Sequence, residues 1–311
     1  MDLKQLMYFA KVAELNSYTR AADELDIAQP LLSRHIRQLE TELGRSLLVR
    51  NGRGVTTTEA GQILLRHCHQ IINQVQMLKE DLSLTTGKIT GSITLGIPPT
   101  LSKLLARDII KVFYQRLPEA NLIVSEGLTR DLQDRLSIDR LNVALLHNPI
   151  FLKNLDYELL SKVHLMLIVR RDNPDFIGKE VITAEDLQRV PLVIPTKNNT
   201  YRQLFDTEMA KLQKKSNIIL EVDSKELILD LVEDGIGNSI LLPMTLSFKD
   251  YHNNLRAIPI KEPDLPCYLY MAISSKTKPS RLQMELMKII REVLEHRLPD
   301  RNKAIHQSRS N

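Results

Sequence analysis

Apolar positions follow three successive rhythms along the chain. In the first, Leu3, Leu6, Phe9, Ala10 and Ala13 recur at helical spacing, followed by Ala21, Ala22 and Leu25, and then by Leu32, Ile36 and Leu39. Each group predicts a short helix with one buried stripe. Ser17 is a natural N-cap for the second helix, which fades at Asp26. Pro30 sits near the start of the third, where first-turn N–H groups lack intrahelical partners and proline is tolerated. Residues 17 to 40 therefore read as two helices meeting at a tight turn. Beyond Arg45, the pair Asn51-Gly52 is a turn signal between two strand-like pieces, as in a small hairpin wing.

In the second rhythm, Ala60, Leu64, Ile71, Val75, Leu78 and Leu82 mark one stripe, with no proline and no glycine after Gly61. The pattern predicts a helix from Glu59 to about Thr86, roughly 40 Å long at 1.5 Å per residue. Its stripe needs a partner: a second copy in a coiled coil, or the chain's own head. His67 and Gln74 interrupt the repeat, and both partners stay open.

The third rhythm begins after Gly87 and Gly91, where strands and helices alternate. Strands are predicted at Ser92–Ile97, Leu122–Ser125 and Val143–Leu146, with helices at Thr100–Leu117, closed by Pro118, and Thr129–Ile138. This βαβαβ order implies parallel strands and right-handed crossovers. A second set follows: a strand around His164–Arg170, a helix from Thr183, Pro191–Ile194, a helix at Thr200–Lys211, Ile218–Val222, a helix at Ser224–Glu233, and Ser239–Leu242. A strand at Leu265–Ser274 and a helix at Ser280–Leu298 end the ordered pattern, and Pro299–Asn311 reads as a polar, frayed tail. The strands near Leu160–Leu165 and Leu265–Tyr270 read as crossovers between two α/β lobes flanking a cleft.

Composition adds little until it is localised. The chain has 311 residues, 43% hydrophobic and 26% charged, with a net charge of +4, enough for two or three ordinary domains. The basic character is concentrated: from Arg34 to Arg53 there are five arginines against two glutamates, a patch suited to a phosphate backbone. On the third helix, Gln29, Ser33, Arg34 and Arg37 lie opposite the apolar stripe. Such side chains donate to phosphates, and glutamine and arginine also address purine edges in the major groove. Cys68 and Cys267 match no metal or disulfide spacing, which fits a reducing cytoplasm. No apolar run approaches the length of a membrane span, and no leader pattern opens the chain. Catalysis is not expected. There is no metal cluster among eight scattered histidines, no Gly-x-Ser-x-Gly elbow, no Walker motif and no pair of carboxylates on one face. No cofactor or metal is expected either.

Together, Ser17-x-Thr19-x-Ala21-Ala22-x-x-Leu25, Ala28-Gln29-Pro30-x-x-Ser33-x-x-Ile36-x-x-Leu39-Glu40, Leu43-Gly44 and Thr58-Glu59-Ala60-Gly61 closely resemble LysR-type bacterial transcriptional regulators. The wording from Arg50 to Gly61 and at Ile97-Pro98-Pro99 is similar to the subgroup containing nitrogen-assimilation control regulators. The resemblance implies a winged helix-turn-helix over residues 1–58, a dimerising linker helix at 59–87, and a two-lobed α/β effector domain similar to periplasmic binding proteins. Its first lobe would span 88–161 and 266–298, its second 162–265, with a tail at 299–311. The implied partners are double-stranded promoter DNA, a small-molecule effector, RNA polymerase, and further copies forming a homodimer or homotetramer. Gln29, Pro30, Ser33 and Arg34 match the family's recognition surface, with Gln29 and Arg34 on base edges, Arg37 on phosphate, and the wing's Arg50 and Arg53 on backbone or minor groove. His35 departs from the glutamine or lysine of other members, which leaves the DNA sequence open.

Three loops are expected to face the cleft. Thr100 and Ser102 follow the first strand and either cap the next helix or hold a carboxylate; Thr129 opens the following helix; Thr196 to Tyr201 plays the matching part in the second lobe. Helix starts of this kind attract anions through unpaired N–H groups and the helix dipole. His147, at the end of the third strand, is either a ligand contact or a structural residue. This hydroxyl-rich, arginine-poor set points to a small polar or carboxylate ligand. Gly235 and Gly237 read as a helix-to-strand turn, with Asn238 and Ser239 within reach of the cleft. A regulator of the same fold that needs no effector and is controlled by its abundance is the alternative.

Overall fold

The computed structural model describes residues 1–52, 54–83, 89–247 and 251–297. Arg53, the last residues of the expected linker and the expected tail lie outside the described residues. The head comprises α1 (Leu3–Leu15), α2 (Tyr18–Glu24), α3 (Gln29–Leu43), β1 (Leu48–Asn51) and β2 (Gly54–Thr57). Ser17 caps α2 by accepting from Arg20 N, and Asp26, at φ 52°, turns the chain toward α3. Gly44, at φ 62°, closes α3. Leu32 and Ile36 pack with Tyr8, Val12 and Ala21 in one head core, while Leu39 joins Leu6, Phe9 and Cys68 in another. In the wing, Asn51 pairs with Gly54 across the tip, so Asn51 ends the strand and does not belong to the turn that its sequence suggests.

The long helix α4 (Glu59–Ser83) answers the question of its stripe in two halves. Ala60, Leu64, Leu65 and Ile72 pack on the head core, whereas Ile71, Leu78 and Leu82 are exposed. Its start is tied to the wing: Thr58 Oγ1 donates to Ser46 O and accepts from Gly61 N. A Cβ at Gly61 would lie 2.0 Å from Leu47 O, so only glycine lets the helix lie this close to the strand.

The first lobe contains β3 (Gly91–Ile97), α5 (Pro99–Leu101), a π-helical turn at Ser102–Ala106, α6 (Arg107–Arg116), β4 (Ala120–Glu126), α7 (Thr129–Ser137), β5 (Val143–His147) and β6 (Leu155–His164). The second contains β7 (Met166–Arg170), α8 (Ala184–Arg189), β8 (Leu192–Ile194), α9 (Thr200–Lys211), β9 (Ile218–Glu221), α10 (Lys225–Glu233), β10 (Ser239–Leu241), α11 (Tyr251–Asn254) and β11 (Leu255–Pro259). The chain then returns to the first lobe through β12 (Pro266–Ser274) and α12 (Arg281–Arg297).

The first sheet runs β4-β3-β5-β12-β6, and β3 is parallel to β4 and β5 while β12 is antiparallel to β5 and β6. In the second lobe, β9 and β8 are parallel, a parallel bridge from Leu192 to Asn238 leads to β10, and β10-β7-β11 are antiparallel. The two lobes thus share one strand order without sharing sequence. They meet where the chain crosses at Leu165, whose N–H donates to Leu265 O on the returning strand at 3.0 Å.

One face of the first sheet packs Ile93, Leu95 and Ile97 against Phe113, Ile289 and Ile290; the other packs Ala144 and Leu146 under Leu132 and Leu136 of α7. Each such aliphatic side chain contributes about 1.5–3 kcal/mol on full burial. Gly96 lets α7 approach, because a Cβ there would lie 3.1 Å from Leu132 Cδ2 of that helix, besides 2.6 Å from Leu141 Cδ1. This close seat brings the first residue of α7 to the end of β5: His147 N donates to Thr129 Oγ1 at 3.2 Å.

Candidate functional site

Two surfaces collect the chemistry. On the head, Pro30, Arg34 and Arg37 of α3 are exposed and Gln29 is partly so, forming a strip along the helix beside the wing's exposed Arg50. Arg50 lies 5.9 Å from the Tyr18 ring centre, a cation–π contact that holds the guanidinium toward α2. Burial raises the Tyr18 pKa, with the Glu40 charge adding to it. Ser33 departs from expectation. It stands beside Leu32 and is 7% exposed, so it borders the buried stripe, and the accessible strip consists of Gln29, Pro30, Arg34 and Arg37. His35 turns inward as well, packing edge-on against Tyr8 with ring centres 5.3 Å apart.

The second surface is a cavity of about 240 Å³ between the lobes. The first lobe contributes Pro98, Thr100, Leu128, Thr129 and His147; the second contributes Asn199, Tyr201, Asp223, Ser224 and Lys225, with Ile228 and Leu241 apolar beneath them. Several helices start here, and they differ in how their first N–H groups are met. Asn199 caps α9 by accepting from Tyr201 N, and Ser224 caps α10 by accepting from Leu227 N. In contrast, α5 follows Pro98 and α7 follows Leu128 with no side-chain cap. Those starts leave donors for an incoming acceptor. Lys225, 13% exposed at its side chain, adds a cation whose pKa burial lowers, against the Glu226 charge that raises it.

Contacts already cross the cavity. The Tyr201 and Thr100 side chains hydrogen-bond, Lys103 in the π-helical turn reaches Glu226 at 3.4 Å, and the Tyr201 ring meets His147 edge-on at 5.5 Å. His147 is 3% exposed. Its Nδ1 lies 3.3 Å from Cys267 Sγ, and its Nε2 is buried without a protein partner. Burial lowers its pKa to about 4 and raises that of Cys267 to about 12, so the pair is a neutral imidazole and a thiol. A larger cavity, about 320 Å³, lies between α4 and the first lobe. Its Lys276 and Asp139 already pair at 2.8 Å, and it gathers fewer helix starts.

The same seam ties head to lobe. Arg140 Nε donates to His69 Nε2 at 3.1 Å and lies 3.5 Å from Glu14 Oε1, while Asn73 Nδ2 donates to Asp139 O at 2.8 Å. Burial, then the Arg140 charge, lowers the His69 pKa to about 4. The cation holding Glu14 is therefore Arg140, not His69.

Two family models account for most of the chain. Residues 3–62 match the bacterial regulatory helix-turn-helix protein of the lysR family, and residues 86–295 match the LysR substrate binding domain. The chain belongs to the LysR family of transcriptional regulators. It is 30% identical to the HTH-type transcriptional regulator BbuR of Bordetella bronchiseptica over 78% of this chain and 74% of that one. It is 29% identical to the nitrogen assimilation regulatory protein nac of Klebsiella aerogenes over 78% of each. Among solved structures, full-length BenM is 27% identical with a TM-score of 0.59, covering 95% of this chain and 97% of that one. CbnR in complex with its target DNA is 18% identical with a TM-score of 0.63, covering 94% and 100%, and shares the fold.

The protein is thus a DNA-binding transcriptional regulator with an effector-binding domain, not an enzyme. No helix among the described residues is long and apolar enough to cross a membrane. Within this LysR-type effector domain, four of the six expected ligand residues, Thr100, Thr129, His147 and Tyr201, line one cavity. The other two are placed differently. Ser102 opens the π-helical turn outside the lining, its N–H donating to Pro98 O. Thr196 donates to Asp223 Oδ1 at 2.7 Å and so positions a lining residue from behind. Asn238 and Ser239 are buried away from the lining, with Asn238 N bonded to Pro191 O. The sequence reading missed Lys225, Asp223 and Cys267. Ser224 before an apolar-periodic helix was the available signal for Lys225, since it marks another helix start in the second lobe.

Proposed function

We propose that this regulator binds promoter DNA as a homodimer or homotetramer, paired through the exposed Ile71, Leu78 and Leu82 face of α4, and is gated by a small polar or carboxylate effector in the interlobe cavity. Gln29 and Arg34 address base edges; Arg37, Arg50 and Arg53 meet backbone or minor groove; Thr100, Thr129, His147 and Tyr201 meet the effector. The proposed units are residues 1–58, 59–87, 88–161 with 266–298, 162–265 and 299–311. A change in cleft geometry then alters the spacing of two heads and their contact with RNA polymerase in the cytoplasm. The observation that carries the effector reading is the meeting of two uncapped helix starts with Lys225 in one cavity.

A second reading, a regulator of the same fold controlled by abundance alone, is favoured by the direct bonds Thr100–Tyr201 and Lys103–Glu226, which bridge the lobes without a ligand. Fluorescence anisotropy on a site taken from genome-wide mapping of bound DNA tests the head. Arg34→Ala is expected to weaken the specific site by about 1–3 kcal/mol and relax one base position, whereas Arg50→Ala weakens all sequences alike. Equal losses on specific and random DNA for both variants would remove that division of labour. A thermal-shift series with small carboxylates separates the gated reading, in which Tm rises, from the abundance reading, in which it does not move.

A further inference from the structure

The cavity between α4 and the first lobe, at about 320 Å³, is larger than the one between the lobes, and neither DNA reading nor the interlobe site gives it a role. Its lobe wall is internally bonded. Gln283 Nε2 donates to Asn142 O at 2.8 Å, and Asn142 Oδ1 accepts from Thr94 N at 2.8 Å. Lys276 pairs with Asp139 at 2.8 Å and also donates to Ser137 O. The α4 wall keeps uncommitted groups. Gln70 and Gln74 line the cavity, one turn apart on one face of the helix, and their carboxamides make no hydrogen bond among the described residues. The Thr277 hydroxyl of the lobe wall is likewise unengaged among the described residues. Asn73 Nδ2, donating to Asp139 O at 2.8 Å, ties the two walls across the gap.

Asp139 and Lys276 are the charged side chains of the lining and neutralise each other, so an entering carboxylate or phosphate would meet no uncommitted cation there. No aromatic ring lines the cavity among the described residues, which leaves a flat base nothing to stack on. A carboxamide offers two donors and an acceptor, and a hydroxyl both donates and accepts, so the uncommitted groups match hydroxyls on a ligand. Ile93 and Leu141, each 2% exposed, add an apolar floor for C–H faces. At about 30 Å³ each there is room for about ten non-hydrogen atoms. We propose that this cavity is a second ligand site, which takes a small uncharged polyol of pentose size held by Gln70 and Gln74 on one side and Thr277 on the other. It is separate from the interlobe cavity and does not depend on the effector reading above. A ligand seated there bonds α4 and the lobe together, reinforcing the seam through which the lobe holds the head.

The test is isothermal titration calorimetry on the full-length protein with D-ribose, D-xylose and ribitol, and with ribonate and ribose 5-phosphate as charged counterparts. At least one neutral polyol is expected to bind saturably at millimolar concentration, about ten-fold or more tightly than the charged compounds bind at the same site. Gln74→Leu, at an exposed position of α4, and Thr277→Val, in a loop, each weaken that binding about ten-fold, and thermal unfolding confirms that both variants are folded. Hydrogen exchange with the polyol bound shows added protection in α4 and in the loop before α12, not at the starts of α9 and α10. Four results overturn the proposal: no saturable binding of any neutral polyol, binding unchanged in both variants, protection confined to the interlobe cavity, or a charged counterpart that binds as tightly with the same dependence on Gln74. None of them bears on the interlobe effector, which the thermal-shift series tests by itself.

Discussion

The two lobes share a strand order and differ in what their helix starts leave open. In the second lobe, Asn199 and Ser224 cap α9 and α10, and Arg202, 4% exposed at its side chain, bonds Asp206, Glu221 and Pro195 O. These groups are met from within, although Ser239 Oγ and Arg256 Nε are buried without a partner. The first lobe keeps uncapped starts at α5 and α7 and an unmet His147 Nε2, and it holds the seam to α4 and the head through Arg140 and Asp139. At the cleft, one half of a duplicated architecture caps its own helix starts. The other leaves its starts uncapped and grips the DNA-binding head, which is the distribution a sensor needs if binding is to be felt by the head.

Acidification should break this comparison most strongly. The two buried histidines with lowered pKa values, His69 and His147, belong to the seam and to the first lobe. Their folded pKa values of about 4 lie below the ordinary 6.5, so the unfolded chain binds more protons between these limits. Their stabilisation is complete above pH 6.5 and is lost as pH falls toward 4, by up to about 3 kcal/mol for each. Hydrogen exchange at pH 7 and pH 5 is expected to show β5, β12 and the α4 seam losing protection before the core of the second lobe. Uniform loss across both lobes counts against the assignment.

Next in size is Arg202→Met. The guanidinium is buried while its partners Asp206 and Glu221 are 39% and 40% exposed, so water meets the abandoned carboxylates in part. The loss should fall near the lower end for a broken buried pair, about 2–3 kcal/mol, read as a lower urea midpoint for the second lobe with DNA binding retained. Unchanged stability would falsify the view that this lobe is held by its internal polar network.

The smallest effects come from exchanging caps. Ser224→Ala removes a cap from α10 and should lower stability by about 1 kcal/mol. Leu128→Asn offers α7 the cap it lacks. It should stabilise by a few tenths of a kcal/mol to about 1 kcal/mol while weakening any anion at that start, so stability and ligand affinity move in opposite directions. If both rise together in Leu128→Asn, the α7 start is not where the ligand sits.

Legibility in the sequence followed burial. Strands with a clear alternation or a fully buried face, such as Val143–His147, stood out, as did helices with caps and an apolar stripe. The strand Leu255–Pro259 was passed over and Leu155–His164 was read only from Leu160 onward; both are sheet edges. Asp156, Tyr157, Glu158 and Leu159 lie largely in contact with solvent, so their hydrophobic alternation is weak. The π-helical turn at Ser102–Ala106 left no mark, because its residues keep the apolar spacing of an α-helix to within one position. At the cleft, hydroxyls and a histidine next to strand ends were legible because topology places such ends together. Lys225 was not, because its role depends on a second-lobe helix start arriving opposite α7, which only the folded chain displays.

The clasp between Thr58, Gly61 and the Leu47 carbonyl has a mechanical consequence. With α4 seated so closely on the wing, head and stalk turn together as one body. A lever of 25 residues is about 37 Å long at 1.5 Å per residue. A tilt of about 5° at its far end therefore carries the reading strip by about 3 Å, close to the 3.4 Å spacing of successive base pairs. Modest rotations at the base of the stalk are in this way geared to the step of the double helix.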